Sequence, residues 1–302
     1  MQYRQLGKDG PEVSAIGFGA WPLGGGMGSV EEQTAIDTVR AAIDNGITLI
    51  DTARAYRTSE ELVGKALKDG YRERCFLATK LHEDFSRVGI SKSLETSLRT
   101  MRVEYVDLFQ LHYCNLDYAE ESIAALAELR DQGKIGYFGV SNFSASDMRT
   151  ALGVARPQSN QIVYSLFDRD MEAEVIDQCE EEGIGILGHS TLAKGLLTGR
   201  YSETSQFPDD DERATQKPRF KGQAFKNHTA MADQLGTIAQ DKGISLVQLA
   251  IAWVLRLPAV SSALVGAKSP AQIQQHLEAV DIEFSQEELV RIDAITGSPT
   301  AD

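Results

Sequence analysis

The sequence predicts an α/β fold, a single-domain (β/α)₈ TIM barrel over residues 1–302, on three observations. Eight short apolar runs each precede an amphipathic stretch along most of the chain. Those runs are apolar almost throughout instead of alternating, as strands are when both faces are covered. Eight such units in about 280 residues also match the size of a closed barrel. A short N-terminal β-hairpin is expected in the turn-rich start, ahead of the first barrel strand.

In order, SAIGFG (14–19) is the first strand and EEQTAIDTVRAAIDNG (31–46) the first helix. Gly46 stops that helix, because glycine readily takes the left-handed conformation that ends one. ITLID (47–51) with SEELVGKALKDG (59–70), CFLATK (75–80) with GISKSLETSLRTM (89–101), and VDLFQLH (106–112) with AEESIAALAELRDQG (119–133) form the next three units. KIGYFGVSN (134–142) with SASDMRTALGVA (144–155) and SNQIVYS (159–165) with MEAEVIDQCEEEG (171–183) continue the pattern. IGILGHS (184–190) with LVQLAIAWVLR (246–256) and SSALVG (261–266) with SPAQIQQHLEAV (269–280) complete it. An open doubly wound sheet is the alternative, but it usually carries an early glycine-rich GxGxxG turn, and FGAWPLGGGMGS (18–29) is not one. One connection breaks the rhythm after the seventh strand. Residues 201–228 are polar and aperiodic, and long loops in compact barrels are often functional, so a lid over the site is expected there.

Thirty basic against forty-four acidic residues give a formal charge of −14. That argues against nucleic acid or an anionic membrane as partner, while leaving room for a local basic pocket. The three cysteines, Cys75, Cys114 and Cys179, lack metal-ligand spacing and read as reduced thiols. The start MQYRQLGKDG has no signal-type apolar core, and no run reaches the eighteen apolar residues of a membrane span. A cytoplasmic location is expected on that ground, and homo-oligomerisation stays open.

Active sites of such barrels form at the C-terminal ends of the strands. The polar residues there are Asp51, Lys80, His112, Ser141, Asn142, Gln161, His189 and Ser190. Singly each has a plain explanation: Asp51 a helix cap, Lys80 a surface lysine, His112 a satisfied core histidine. Together at successive strand ends they point to a site. With Tyr56 in the loop after Asp51, they suit carbonyl reduction, which needs a proton delivered to the carbonyl oxygen. Tyrosine, with an ordinary pKa of about 10, is a poor acid near neutrality unless its phenolate is stabilised. A lysine ammonium does that, a carboxylate holds the lysine, and a neutral histidine orients the carbonyl.

The set DTA…Y (51–56), ATK (78–80), QLHY (110–113), GVSNF (139–143), QIVYSL (161–166) and LAKGLLTG (192–199) resembles the aldo/keto reductase family. The match runs from RQLGKDGPEVSAIGFGAW to KSPAQIQQH, nearly the whole chain. The resemblance implies a barrel that binds NADPH, or less often NADH, and interconverts small-molecule carbonyls and alcohols without a metal. It implies that Tyr56 is the general acid/base, Lys80 its pKa-lowering partner, Asp51 the carboxylate on that lysine, and His112 the residue orienting the carbonyl. Ser141, Asn142 and Gln161 match the side chains on the nicotinamide carboxamide, and Leu192, Gly195 and Leu196 the loop over the pyrophosphate. Gly266, Lys268, Ser269 and Gln272 match the adenosine end, where Lys268 and Ser269 suit a 2′-phosphate. Trp21 matches an aromatic wall of the substrate pocket.

Three positions depart from the family pattern. HSTLA stands for the usual YSPLA, so His189, followed by Ser190, takes the place of an aromatic that stacks on nicotinamide, and its imidazole could titrate near neutral pH. Gln275 and His276 replace a frequent Glu-Asn pair at the adenine. Arg57 follows the catalytic tyrosine where relatives often have glycine; it could lower the tyrosine's pKa or attract an anionic substrate, or point into solvent. Two rival functions remain: a cofactor-binding regulatory or redox-sensing subunit of the same fold, and a metal-dependent barrel hydrolase. The second lacks an HxH pair at the first strand.

Overall fold

The computed structural model describes residues 1–209, 211–215 and 217–297. Two positions of the expected loop 201–228 and the end of the expected domain, 298–302, lie outside the described residues. Two antiparallel strands, β1 (Tyr3–Gln5) and β2 (Glu12–Ser14), form the N-terminal hairpin. The barrel strands are β3 (Ile16–Gly19), β4 (Leu49–Asp51), β5 (Phe76–Leu81), β6 (Val106–Leu111), β7 (Ile135–Ser141), β8 (Ser159–Val163), β9 (Gly185–His189) and β10 (Val260–Val265). All are parallel and follow chain order around the barrel, which closes where β10 pairs with β3.

Helices α1 (Glu32–Asp44), α2 (Ser59–Ala66), α3 (Arg87–Met101), α4 (Ala119–Asp131), α5 (Ala145–Leu152) and α6 (Asp177–Glu181) follow β3 to β8 in turn. Local chemistry starts several of them. Ser86 accepts from the Gly89 N–H at the head of α3, and Ser144 with Asp147 forms a reciprocal capping box on α5. After β9 come α7 (Glu212–Thr215), α8 (Gly222–Asp241) and α9 (Leu246–Leu255); after β10 come α10 (Pro270–Leu277) and α11 (Gln286–Thr296). Three of these helices differ from the sequence expectation, the first being α7, which lies inside the expected loop. Residues 222–228 begin the twenty-residue α8 instead of ending a loop, and α11 was not foreseen. The head of α8 carries no side-chain cap, so its start has no sequence signature, whereas Ser285 and Glu288 form a legible capping box on α11.

Side chains alternate across a strand, so every second residue faces the barrel axis. The lower axial layer is apolar: Leu49, Ala78, Leu108, Leu187 and Leu264, closed from below by Leu6 and Val13 of the hairpin region. The hairpin is therefore the plug of the barrel floor. A separate, larger apolar core lies between the strands and the helices. Among the described residues no single helix is long and apolar enough to cross a membrane.

Candidate active site

Two residues further along the same strands, the axial face turns polar. Asp51, Lys80, Gln110 and His189 follow Leu49, Ala78, Leu108 and Leu187 at that spacing, and Gln161 joins them from β8. Lys80 is fully buried and Asp51 2% exposed. The Lys80 Nζ donates to Asp51 Oδ1 at 2.5 Å, to the Thr52 carbonyl at 3.0 Å and to Tyr56 Oη at 3.3 Å. Burial alone would strip the charge from Lys80, but the Asp51 carboxylate and Tyr56 outweigh it and hold the ammonium above the usual lysine range.

Tyr56 reaches this ammonium because a tight turn leads into α2. Its N–H donates to the Ala53 carbonyl at 3.0 Å, and its own carbonyl accepts from Ser59 at 2.9 Å. Gly24 presses on that turn: a Cβ there would lie 2.1 Å from the Tyr56 carbonyl oxygen, so no larger residue fits without moving the tyrosine. Arg57 follows with a φ of 50°, in the left-handed region. That conformation accounts for the glycine expected of relatives at this position. The Arg57 side chain is exposed and does not line the cavity described below.

The Tyr56 hydroxyl departs from expectation in one respect. Burial raises its pKa, and although Lys80 pulls the other way, the net direction is up. The residue therefore stands protonated near neutral pH, as an acid must. His112 lies edge-on to the tyrosine, ring centroids 5.5 Å apart at 79°. Burial, with Lys80, His189 and His82 adding to it, pushes His112 down to about 3, so its ring is neutral.

Asp51 Oδ2 accepts from Gln161 Nε2 at 2.9 Å and from Gln110 Nε2 at 3.3 Å, and the two glutamines meet at 3.3 Å. Gln110 was not among the expected residues, though a lone amide inside the apolar run VDLFQLH was a readable signal. Gly139 makes room for it, since a Cβ there would stand 3.2 Å from the Gln110 Cγ and 2.5 Å from the Ser159 hydroxyl. Ser141 donates to the Gln161 carbonyl at 2.9 Å and accepts from Asn142 Nδ2 at 3.0 Å. His189 is held at both nitrogens, by Asn142 Oδ1 and by the Ser190 hydroxyl, each at 3.0 Å. Burial and the charges of Lys80 and Lys194 push it down to about 3, so it does not titrate near neutral pH as its sequence position allowed.

Above this floor opens a cavity of about 930 Å³, the size of a cofactor-plus-substrate site. Of the expected residues, Trp21, Asp51, Tyr56, His112, Gln161, His189, Ser190, Leu192, Gly195, Gly266, Lys268 and Gln272 line it. Lys80, Ser141 and Asn142 sit just beneath, bonded to lining groups. Leu196, Ser269, Gln275 and His276 are not in the lining; His276 is buried on α10, and Gln275 is exposed. The cavity also takes Arg200, Arg213, Lys217 and Arg219, none of which was expected.

All four come from the connection after β9, which is more ordered than its sequence suggests. Phe207, Phe220 and Phe225 pack edge to face or stacked, and Arg213 lies over Phe207 with its Nε/Nη2 edge on both carboxylate oxygens of Asp211. The Glu212 N–H donates to the Gly26 carbonyl at 3.1 Å, and Lys268 Nζ reaches the carbonyls of Met27 and Gly28. These bonds tie both segments together beside the cavity, which Met27, Glu212 and Lys268 line. Among the described residues no group of three His, Cys, Asp or Glu is placed to hold a metal ion.

The chain is 38% identical over its full length to the aldo-keto reductase YhdN of Bacillus subtilis (strain 168), of which it covers 96%. The glycerol dehydrogenase of Gluconobacter oxydans superposes with a TM-score of 0.87 at 32% identity, over 99% of this chain and 97% of that one. An aldo/keto reductase from Klebsiella pneumoniae, solved in complex with NADP and acetate, gives 0.77 at 29% identity over 99% and 96%. Residues 15–296 match the aldo/keto reductase family, and the chain belongs to that family of nicotinamide-dependent oxidoreductases.

Proposed function

We propose that this protein reversibly reduces small aldehydes or ketones to alcohols with NADPH, NADH being the poorer cofactor. The observation that carries the reading is the buried chain Asp51–Lys80–Tyr56, which ends on a protonated hydroxyl beside a neutral His112 at the cavity floor. The glycerol dehydrogenase and the NADP-bound reductase among its structural relatives support the same chemistry and the same cofactor.

The donor set fits a dinucleotide phosphate. Arg213 and Lys268 both line the cavity, and Lys268 feels the charges of Arg213 and of the Asp211 that Arg213 pairs with. Lys268 would take the 2′-phosphate, and Leu192 and Gly195 would border the pyrophosphate. Gln161, Ser141 and Asn142 would hold the carboxamide, fixing the ring face toward the substrate. When bound, the reduced nicotinamide supplies the hydride.

The protein's own residues handle the proton. His112, neutral, donates to the carbonyl oxygen and orients it. The Tyr56 hydroxyl transfers its proton to that oxygen as charge develops there, and the Lys80 ammonium at 3.3 Å stabilises the phenolate left behind. Asp51 keeps Lys80 charged throughout, and in the oxidative direction the same phenolate takes the proton back. Purified protein should consume NADPH with 4-nitrobenzaldehyde or methylglyoxal. The Tyr56→Phe form should bind NADPH with wild-type affinity and lose turnover; retained turnover would sink the mechanism.

A further inference from the structure

The cavity carries more positive charge than a chain of net −14 would lead one to expect, and half of its six lysines and arginines are already engaged. Arg213 is paired with Asp211, Arg219 with Asp168, and Lys268 with the Met27 and Gly28 carbonyls. Arg200 is exposed at the rim. Lys194 and Lys217, by contrast, have no carboxylate at ion-pair distance and no side-chain hydrogen bond among the described residues. Lys194 is half-buried, and its Nζ lies 3.8 Å from the centre of the Trp21 ring. A cation on an aromatic face has one side occupied and the other free for an anion.

Two further observations agree. Lys194 has a φ of 54° and a ψ of 32°, a left-handed conformation that a side chain adopts at a cost and that gathers at functional positions. Burial presses its amine down to about 8, Lys217, Arg213 and Arg219 adding to that and Glu212 opposing it. An incoming anion relieves this crowding.

We infer that Lys194, with Lys217, forms an anion subsite on the Trp21 wall, so that the preferred carbonyl substrates carry a carboxylate or a phosphate. The inference rests on the reductase reading for where the carbonyl sits. It sets Lys194 apart from Lys268: the Lys268 Nζ bonds the Met27 and Gly28 carbonyls, while the Lys194 Nζ lies on the Trp21 ring. It also moves the anion contact from Arg57, which lies off the cavity, to a residue inside it.

The test compares 4-carboxybenzaldehyde with its near-isosteric neutral ester, methyl 4-formylbenzoate. The wild type should favour the acid in kcat/KM. Lys194→Met should cut the acid-over-ester ratio about tenfold, the loss of about 1.4 kcal/mol of selective binding, and Lys194→Arg should restore most of it. An unchanged ratio in Lys194→Met would overturn the subsite. So would a loss matched by an equal rise in the NADPH dissociation constant, read from cofactor fluorescence, since that would place the ammonium on a cofactor phosphate. Calorimetry with 4-methylbenzoate, which has no alcohol or carbonyl to exchange hydride, and the NADP⁺-loaded protein reads the subsite without turnover. Binding that Lys194→Met weakens, in a protein that reduces neither aldehyde, would sink the reductase reading and keep the anion subsite; binding that it leaves unchanged would sink the subsite.

Discussion

The barrel interior holds two layers built on one register, two residues apart. The lower layer, Leu49, Ala78, Leu108 and Leu187, is apolar and sealed by the hairpin. The upper layer, Asp51, Lys80, Gln110 and His189, is just as inaccessible to solvent at its centre, yet it is charged and amide-rich. The lower layer is held by burial of apolar area, which is non-directional and tolerates exchange. The upper layer persists only because each polar atom has a partner: Lys80 three, Asp51 three. Stability and chemistry are thus separated along the strands by a single pleat.

The largest way to break that contrast is Tyr56→Phe, which removes one hydroxyl at the edge of the upper layer. It should lower kcat by roughly 10²–10⁴-fold, the usual weight of general acid catalysis, with thermal unfolding almost unchanged. Asp51→Asn leaves the Lys80 ammonium buried without its counter-charge. It should cost about 3–5 kcal/mol in denaturant unfolding together with most of the activity, because an uncompensated buried charge is expensive. Leu108→Ala, two residues before Gln110, should cost about 2–5 kcal/mol by leaving a cavity. Its folded fraction should keep the wild-type pH profile of kcat; a shifted profile would mean that the layers are energetically coupled.

Acid should act through three histidines, two at the site and one on α10. His112 and His189 are held down at about 3 and His276 at about 4, all below the ordinary histidine value. Between those values and about 6.5 the unfolded chain binds more protons than the folded one, so stability is complete above about pH 6.5 and falls as pH drops through the window. A melting temperature that stays level from pH 7 to pH 4.5 would contradict this. His276→Leu should soften the decline, since that ring is buried with its Nδ1 unpartnered. The smallest expected effect is Arg57→Gly, which relieves a left-handed arginine and should raise stability by about 0.5–1 kcal/mol, with glycine's own entropy offsetting part of the gain.

The strand pattern and the polar strand ends were legible because each rests on local composition. Apolar runs of strand length, a charge where each run stops, and a tyrosine five residues past Asp51 are visible in one dimension. The less legible parts are those whose meaning lies in a partner far along the chain. Gln110 looks like an oddity in VDLFQLH until Asp51, fifty-nine positions earlier, is found beneath its amide. The segment from 201 looks aperiodic because its order comes from Phe207 meeting Phe220 and Phe225, not from any repeat. His189 reads as a titrating ring until Asn142, Ser190 and burial take up both nitrogens.

The sequence by itself therefore determined the barrel and the family resemblance and named a candidate catalytic set, since periodicity and residue type at strand ends survive without coordinates. Tertiary structure alone decided the electrical state of that set. Desolvation keeps Tyr56 protonated against the pull of Lys80, Asp51 keeps Lys80 charged, and closure of the barrel keeps His112 neutral. Each of those balances depends on how much water is excluded and on which charge lies within a few ångströms, quantities that exist only once the chain has folded.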